Sequence, residues 1–132
     1  MRGLPRTHGH RAGTDNIRRV LRQLIRFGVK YLTLFAFSTE NWERSEAEVG
    51  FLMELLHESI VNETQNLHEQ GVCINHFGRT KGLPDHLQKA IRQSIDVTKN
   101  NTVINLNLAY NYGGRAEIVD AVRAIIEDGT ES

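Results

Sequence analysis

One cysteine, two prolines and no long apolar run set the first limits on this chain. Cys73 on its own closes no internal disulfide and has no cysteine partners for a zinc cluster. Within Val72-Cys73-Ile74 it reads as a buried, inert thiol. No stretch of about 18 apolar residues occurs, so no bilayer span is expected. The basic, turn-rich start around Arg2, Pro5 and His8 also lacks the apolar centre of a signal peptide, which makes the cytoplasm the expected location. Net charge is absent too: 16 Lys plus Arg balance 16 Asp plus Glu. That balance argues against bulk electrostatic capture of nucleic acid, so no nucleic-acid partner is expected. The cations are unevenly placed, however, with Arg2, Arg6, Arg11, Arg18, Arg19, Arg22, Arg26 and Lys30 all near the front. They form either an anion-binding region or the solvated face of a helix.

What the chain does contain is alternation. Ile17, Val20, Leu21, Leu24 and Ile25 follow a helical period from Thr14 until Gly28. Tyr31 to Phe37 reads as a buried strand, and the stretch from Ser45 to Gln70 as a long amphipathic helix opened by the capping-box pattern Ser45-Glu46-Ala47-Glu48. A second strand is expected over Val72 to Phe77 and a helix from Pro84-Asp85 to Asn100. The third strand is expected over Thr102 to Leu108. Its half-polar alternation, with Asn105 and Asn107, suggests an edge or a site-facing surface. A helix carrying Ile118, Val119, Val122, Ile125 and Ile126 comes last, after Gly113-Gly114. The glycine pair is either a tight crossover turn or a place where a phosphate approaches the backbone. Helix and strand in strict turn imply the α/β class: a parallel sheet covered by helices on both faces. With only three strands in 132 residues, the expectation is an incomplete piece, residues 1–132, of one larger domain.

The stretch Phe37-Ser38-Thr39-Glu40-Asn41-Trp42-Glu43-Arg44 is the candidate site, because polar, aromatic and ionic side chains follow directly on an apolar strand. In open α/β sheets ligands bind beyond the carboxyl ends of the strands. Arg6 and His10 are expected just ahead of a helix start, where unpaired N–H groups would help them seat a phosphate; the alternative is two solvated loop residues. Trp42 reads equally as a cap on the following helix, and Glu40 as a turn cap. The apolar arc containing Leu52 and Leu55 is either core or the wall of a pocket for an apolar ligand.

Three segments together resemble the cis-prenyltransferases. They are Gly3-Leu4-Pro5-Arg6 with Gly9-His10-Arg11-Ala12-Gly13, then Phe35 to Trp42 with Arg44, then Asn107 through Asn111-Tyr112-Gly113-Gly114-Arg115. The resemblance implies condensation of isopentenyl diphosphate onto an allylic diphosphate, such as farnesyl diphosphate, to make a cis-polyprenyl diphosphate. It also implies a homodimer when complete, and membrane contact only through the lipid product. By resemblance Arg6, His10, Trp42 and Arg44, with the Ser38-Thr39-Glu40 loop, contact the allylic diphosphate, and Leu52 and Leu55 line a tunnel for the growing chain. Asn41 matches the residue assigned as proton acceptor. A neutral amide is a poor base, so a positioning role is expected of it.

The same resemblance implies a Mg²⁺ requirement, yet the family motif Asp-Gly-Asn-Gly-Arg-Trp-Ala, with the aspartate that holds the metal, is absent, as is the later Arg-rich segment. No metal ligand is therefore nominated, and the chain alone is expected to be inactive as a piece of an active enzyme. The rival expectation is a non-catalytic scaffold subunit of a prenyltransferase complex, and a third is a simple phosphate-binding module. Arg79 stands after Gly78 where many members carry an acidic residue, a change the sequence alone does not explain.

Overall fold

The computed structural model describes the backbone of residues 6–129 and the side chains of residues 8–129. Helix α1 (Arg6–Arg26) leads into β1 (Tyr31–Ser38) and a short 3-10 turn (Thr39–Glu43). There follow α2 (Glu46–Glu69), β2 (Val72–Phe77), α3 (Asp85–Thr98), β3 (Ile104–Tyr112) and α4 (Gly114–Glu127). All strand pairs are parallel, in the order β1-β3-β2. The α/β architecture with a parallel three-stranded sheet is the one its alternation of elements implies. Among the described residues no helix is long and apolar enough to cross a membrane.

Two element boundaries differ from expectation. The first helix begins at Arg6 rather than Thr14. The hydroxyl of Thr14, where the helical period begins in the sequence, donates to the His10 carbonyl at 3.1 Å, a bond made within a helix already under way. His10 therefore lies inside α1 and not ahead of its start, so the expected seat of open N–H groups does not form around it. The third strand runs on to Tyr112, and it is central rather than an edge. Its polar alternation is a cross-strand rung. Thr33, Asn107 and Asn75 are in register, Asn75 Nδ2 donates to Asn107 Oδ1 at 3.0 Å, and Asn107 Nδ2 donates to Thr33 Oγ1 at 3.3 Å. Mutual bonding lets Asn107 be buried in mid-sheet.

On the other side of the sheet Leu32, Leu34, Ile74, Ile104 and Leu106 form an apolar layer, onto which α1 brings Leu21 and Leu24, α2 brings Leu67 and α3 brings Ile95. A second cluster lies toward the carboxyl ends of the strands, where Phe37 and Tyr110 meet Met53 and Ile60 of α2 and Leu87 and Ile91 of α3. The β2 edge is closed from α3 and the loop after it: Thr98 Oγ1 accepts from Ile74 N at 2.9 Å, and Asn101 Nδ2 donates to the Val72 carbonyl at 2.9 Å. Edge groups that would otherwise invite a foreign strand are thereby occupied. Cys73 is buried beside that edge as expected, its sulfur 3.9 Å from the Lys99 carbonyl.

Helix α4 is attached differently. None of its described residues is buried, and Ile118, Val119, Val122, Ile125 and Ile126 are all exposed. Its tie to the end of β2 is ionic: Arg79 Nε and NH2 reach the two Asp120 carboxylate oxygens at 2.6 and 2.8 Å. This fork accounts for the arginine at position 79. The Arg79 bonds hold the Asp120 carboxyl below its ordinary value. A depressed carboxyl contributes its stabilisation above the unfolded value, near pH 3.8, and loses it as pH falls through the folded value. Asp120→Asn at neutral pH is expected to speed amide hydrogen exchange in 114–127 while leaving the sheet unchanged. Acidification of the unsubstituted chain below about pH 3.8 should do the same, after correction for intrinsic exchange.

Candidate functional site

Because the strands are parallel, β1, β2 and β3 all end on one rim, at Ser38, Phe77 and Tyr112. The rim is shaped by two irregularities in the β1–β3 ladder, between Phe35 and Phe37 and between Phe37 and Ser38. Ala36 is the extra residue on β1 and Asn111 the extra one on β3. The first bulge turns Phe37 out of simple alternation and into the core, where it is fully buried, stacked on Tyr110 at 5.1 Å and edge-on to Trp42 at 5.2 Å. Burial pushes the Tyr110 phenol well above its ordinary range, so it stays protonated and donates to the Leu52 carbonyl at 3.3 Å.

Asn111 occupies the second irregularity with φ +54°, a left-handed conformation that asparagine tolerates better than most residues. It is buried, and its side chain accepts from Trp42 Nε1 at 2.8 Å while donating to the carbonyls of Arg79 at 3.0 Å and Lys81 at 3.4 Å. Its own carbonyl accepts from Arg79 N at 3.0 Å. One residue thus ties the loops after β1 and β2 to the end of β3. The approach is so close that a Cβ on Gly78 would collide with the Tyr110 and Asn111 carbonyls, and one on Gly113 would sit 2.5 Å from Thr39 Oγ1. Gly113 has φ −147°, so its glycine is required by lack of room and not by backbone geometry.

The 3-10 turn holds four of the predicted residues, Thr39, Glu40, Asn41 and Trp42, with Ser38 and Arg44 at its two ends. Asn41 Oδ1 accepts from Ser38 N at 3.0 Å, closing the turn on itself. The Glu40 carboxyl is exposed and held below its ordinary value, first by its own backbone amide and then by the Ser38 hydroxyl, with smaller contributions from Thr39 and Arg115. Ser38, Thr39, Glu40 and Asn41 therefore form one hydrogen-bonded unit. Trp42 does not cap α2: Ser45 Oγ does so, accepting from Glu48 N at 3.2 Å, and the indole is braced on β3 instead. His10 and Arg44 come together through Glu48, whose Oε1 is 2.9 Å from Arg44 NH1 and 3.4 Å from His10 Nε2. Arg6 begins α1, but its side chain, like the Gly3-Leu4-Pro5 segment, lies outside the described residues.

Below the rim a cavity of about 520 Å³ opens between α1, α2 and the sheet. Leu52, Leu55 and Leu56 of α2, Leu34 and Leu108 of the sheet, and His10 of α1 all line it. The volume is within the roughly 300–1,000 Å³ typical of ligand sites. One cavity thus unites the two leucines predicted for a tunnel with a histidine predicted for the diphosphate.

Two residues escaped the sequence reading. Glu48 was visible only as a capping-box member, although its i,i+4 spacing from Arg44 was a usable signal. Asn111 was part of a quoted motif, and an asparagine at a strand end ahead of two glycines suits a left-handed residue. A magnesium ion takes oxygen ligands in near-octahedral array, commonly one or two uncommitted carboxylates completed by water and substrate phosphate. Glu48, the carboxylate between Arg44 and His10, is engaged by both, and among the described residues no acidic trio gathers at the rim. The residues described here do not fit that ion.

Trp42 is the sole tryptophan, so its fluorescence reads the Asn111 contact directly. Asn111→Gly keeps the backbone conformation and removes the side-chain bonds. It is expected to shift Trp42 emission and raise quencher access, at a cost of about 1–3 kcal/mol in denaturant unfolding. Asn111→Ala should cost about 1 kcal/mol more, because alanine resists positive φ.

The undecaprenyl diphosphate synthase family model matches residues 1–132. Curated relatives include isoprenyl transferases of Clostridium perfringens, 50% identical over 127 residues, and Fusobacterium nucleatum, 49% identical over 131. These alignments take in 96% and 99% of this chain but 50% and 57% of the relatives, so the chain spans about half their length. Among solved structures, lavandulyl diphosphate synthase from Lavandula x intermedia, in complex with dimethylallyl diphosphate, superposes with a TM-score of 0.91 at 32% identity, covering 97% of this chain and 56% of that one. A probable undecaprenyl diphosphate synthase from Campylobacter jejuni gives 0.84 at 30% identity, covering 92% and 59%. Matched by the family model along its whole length and by overall fold over 97% of it, this chain belongs to the undecaprenyl diphosphate synthase family of prenyltransferases.

Proposed function

We propose that the chain forms part of the diphosphate rim and one wall of the prenyl tunnel of a transferase that joins isopentenyl diphosphate to an allylic diphosphate such as farnesyl diphosphate, giving a cis-polyprenyl diphosphate. The observation that carries this reading is the apolar cavity lined by both His10 and the Leu52–Leu55 wall, with His10 joined to Arg44 through Glu48. A cationic group at one place on an apolar cavity suits an amphiphile with a charged head and a greasy tail. The related lavandulyl diphosphate synthase, crystallised with dimethylallyl diphosphate, supports the same class of ligand.

In the proposed reaction the allylic C–O bond breaks and its electron pair leaves with the diphosphate. The isopentenyl double bond then forms the new C–C bond, and a proton is lost from the adjacent carbon. Arg44 and His10, with Arg6, meet the departing charge through charge-assisted hydrogen bonds. The Ser38-Thr39-Glu40 turn offers hydroxyls beside them, and Trp42 braces that turn against β3. Asn41 acts by position, since its amide oxygen already accepts from Ser38 N. Leu52 and Leu55 take the prenyl tail, each buried methylene contributing about 0.8 kcal/mol.

The complete protein is read as a cytoplasmic homodimer that uses magnesium and meets the membrane only through its lipid product. Relatives about twice as long, and the exposed apolar stripe of α4, which calls for cover, support a larger assembly. No step is assigned to the metal, and the isolated chain is proposed to be inactive.

Titration calorimetry of this chain tests the amphiphile reading. Farnesyl diphosphate is expected to bind at least a hundredfold tighter than inorganic pyrophosphate, a difference of about 2.7 kcal/mol that a few buried methylenes supply. Leu55→Trp should fill the cavity and remove most of that advantage while leaving pyrophosphate affinity unchanged. Equal affinity for the two ligands in the unsubstituted chain would exclude the tunnel.

A further inference from the structure

On the face of α2 that meets the start of α3, Glu54 and His57 stand three residues apart and His86 faces them from the first turn of α3. One ligand atom from each lies within 4.8 Å of the others. His86 Nε2 is 3.0 Å from Glu54 Oε1, and the His57 and His86 rings meet edge-on with centroids 4.6 Å apart. We propose that Glu54, His57 and His86 form a site for a divalent ion of the Zn²⁺ type, binding α2 to α3.

The geometry and the donor set both favour such an ion. In a tetrahedral zinc site with bonds of about 2.0–2.2 Å, neighbouring ligand atoms stand roughly 3.3–3.5 Å apart. Glu54 and His86 are already close to that spacing, and rotation of the His57 side chain completes the trio. Two imidazoles and one carboxylate leave a fourth position for water, an arrangement that suits zinc, nickel or copper. Magnesium and calcium prefer oxygen ligands alone. The backbones that carry the donors are fixed by packing: Met53 and Leu55 flank Glu54 and are buried, and Leu87, next to His86, is fully buried. Much of the ordering needed for binding is therefore already present in the fold.

The consequence of occupancy is mechanical. The ion cross-links α2, which carries Leu52 and Leu55, to α3, and so stiffens the outer support of the cavity wall. This inference does not depend on what the cavity binds. It was out of reach in sequence because the two histidines belong to different helices and no C-x-x-C or H-x-x-x-H spacing marks them.

The test is thermal unfolding and calorimetry of the chelator-stripped chain with Zn²⁺ or Mg²⁺ alone. Zinc is expected to bind one per chain at this site and to raise the midpoint by roughly 5 °C or more at a hundredfold excess over its Kd. Magnesium should give no shift. His86→Gln and His57→Gln, both checked for native circular dichroism, should each lose most of the zinc-induced rise, whereas His8→Gln at an exposed position should retain it. An equal rise in the His57 and His86 variants, or no zinc binding up to millimolar concentration, would overturn the proposal.

Discussion

The rim depends on one side chain in an uncommon backbone conformation. Asn111 bulges out of the ladder, and the left-handed turn it makes carries its amide into the space between the loops that follow β1 and β2. Both ends of that amide are used, the oxygen by the Trp42 indole and the nitrogen by the Arg79 and Lys81 carbonyls. A buried amide left half-bonded would be destabilising by about 1–3 kcal/mol, so the loops are held where the amide is satisfied. The bulge at Ala36 follows the same logic from the other strand. It sends Phe37 inward to pack beneath Trp42, so that the aromatic stack from Tyr110 through Phe37 to Trp42 supports the turn from below while Asn111 holds it from the side.

Charge at the site is arranged around Glu48. Without a shared partner, neither Arg44 nor His10 would have a fixed position. Glu48 is only 14% exposed at its side chain, and it holds both groups on one oxygen. That is an orienting device, and it also sets a competition. In the proposed function a diphosphate takes Arg44 and His10 from a carboxylate that already engages them, so the net gain on binding is smaller than two new ion pairs would suggest. In that reading an apolar tail matters for affinity, because its burial meets no such competitor.

Much of the fold was legible because it rests on local signals. The period of Ile17 to Ile25, the Ser45 cap, the Pro84-Asp85 start and the apolar runs of the strands each marked an element in place. Reading failed where a residue has two physically reasonable uses. Thr14 caps helices and also back-bonds inside them, and only the bond to His10 decides. Asn107 in a strand suggests exposure until Thr33 and Asn75 are found in register with it, which requires knowing the strand order. The site shows the same division. The residues of one turn, Ser38 to Asn41, were recognisable together because they are contiguous. The pairing of His10 with Arg44 depends on a third residue 38 positions from the first, and no local pattern reveals it.

The distribution of apolar surface shows which parts of the molecule stand on their own. Helices α1, α2 and α3 pack on the sheet in two apolar clusters, one holding Leu21 and Ile104 and the other Leu87, with Ile95 of α3 packed against both. The face carrying Tyr31 and Phe35 is different, since both rings remain largely exposed, at 71% and 61%. Helix α4 leaves its isoleucines and valines uncovered as well, and its fork to Arg79 is exposed on both sides, the kind of ion pair that water and salt weaken. An apolar stripe fixed mainly by a surface ion pair is a poor end point for folding and a good surface for burial against something else. The two halves of the molecule therefore differ in kind. Cavity and rim rest on a layer already closed, whereas α4 and the outer sheet face supply apolar area whose stabilisation is realised only when it is covered. Chemistry proposed for the rim can therefore be tested in this chain by binding, on a part of the molecule whose apolar layer is already closed.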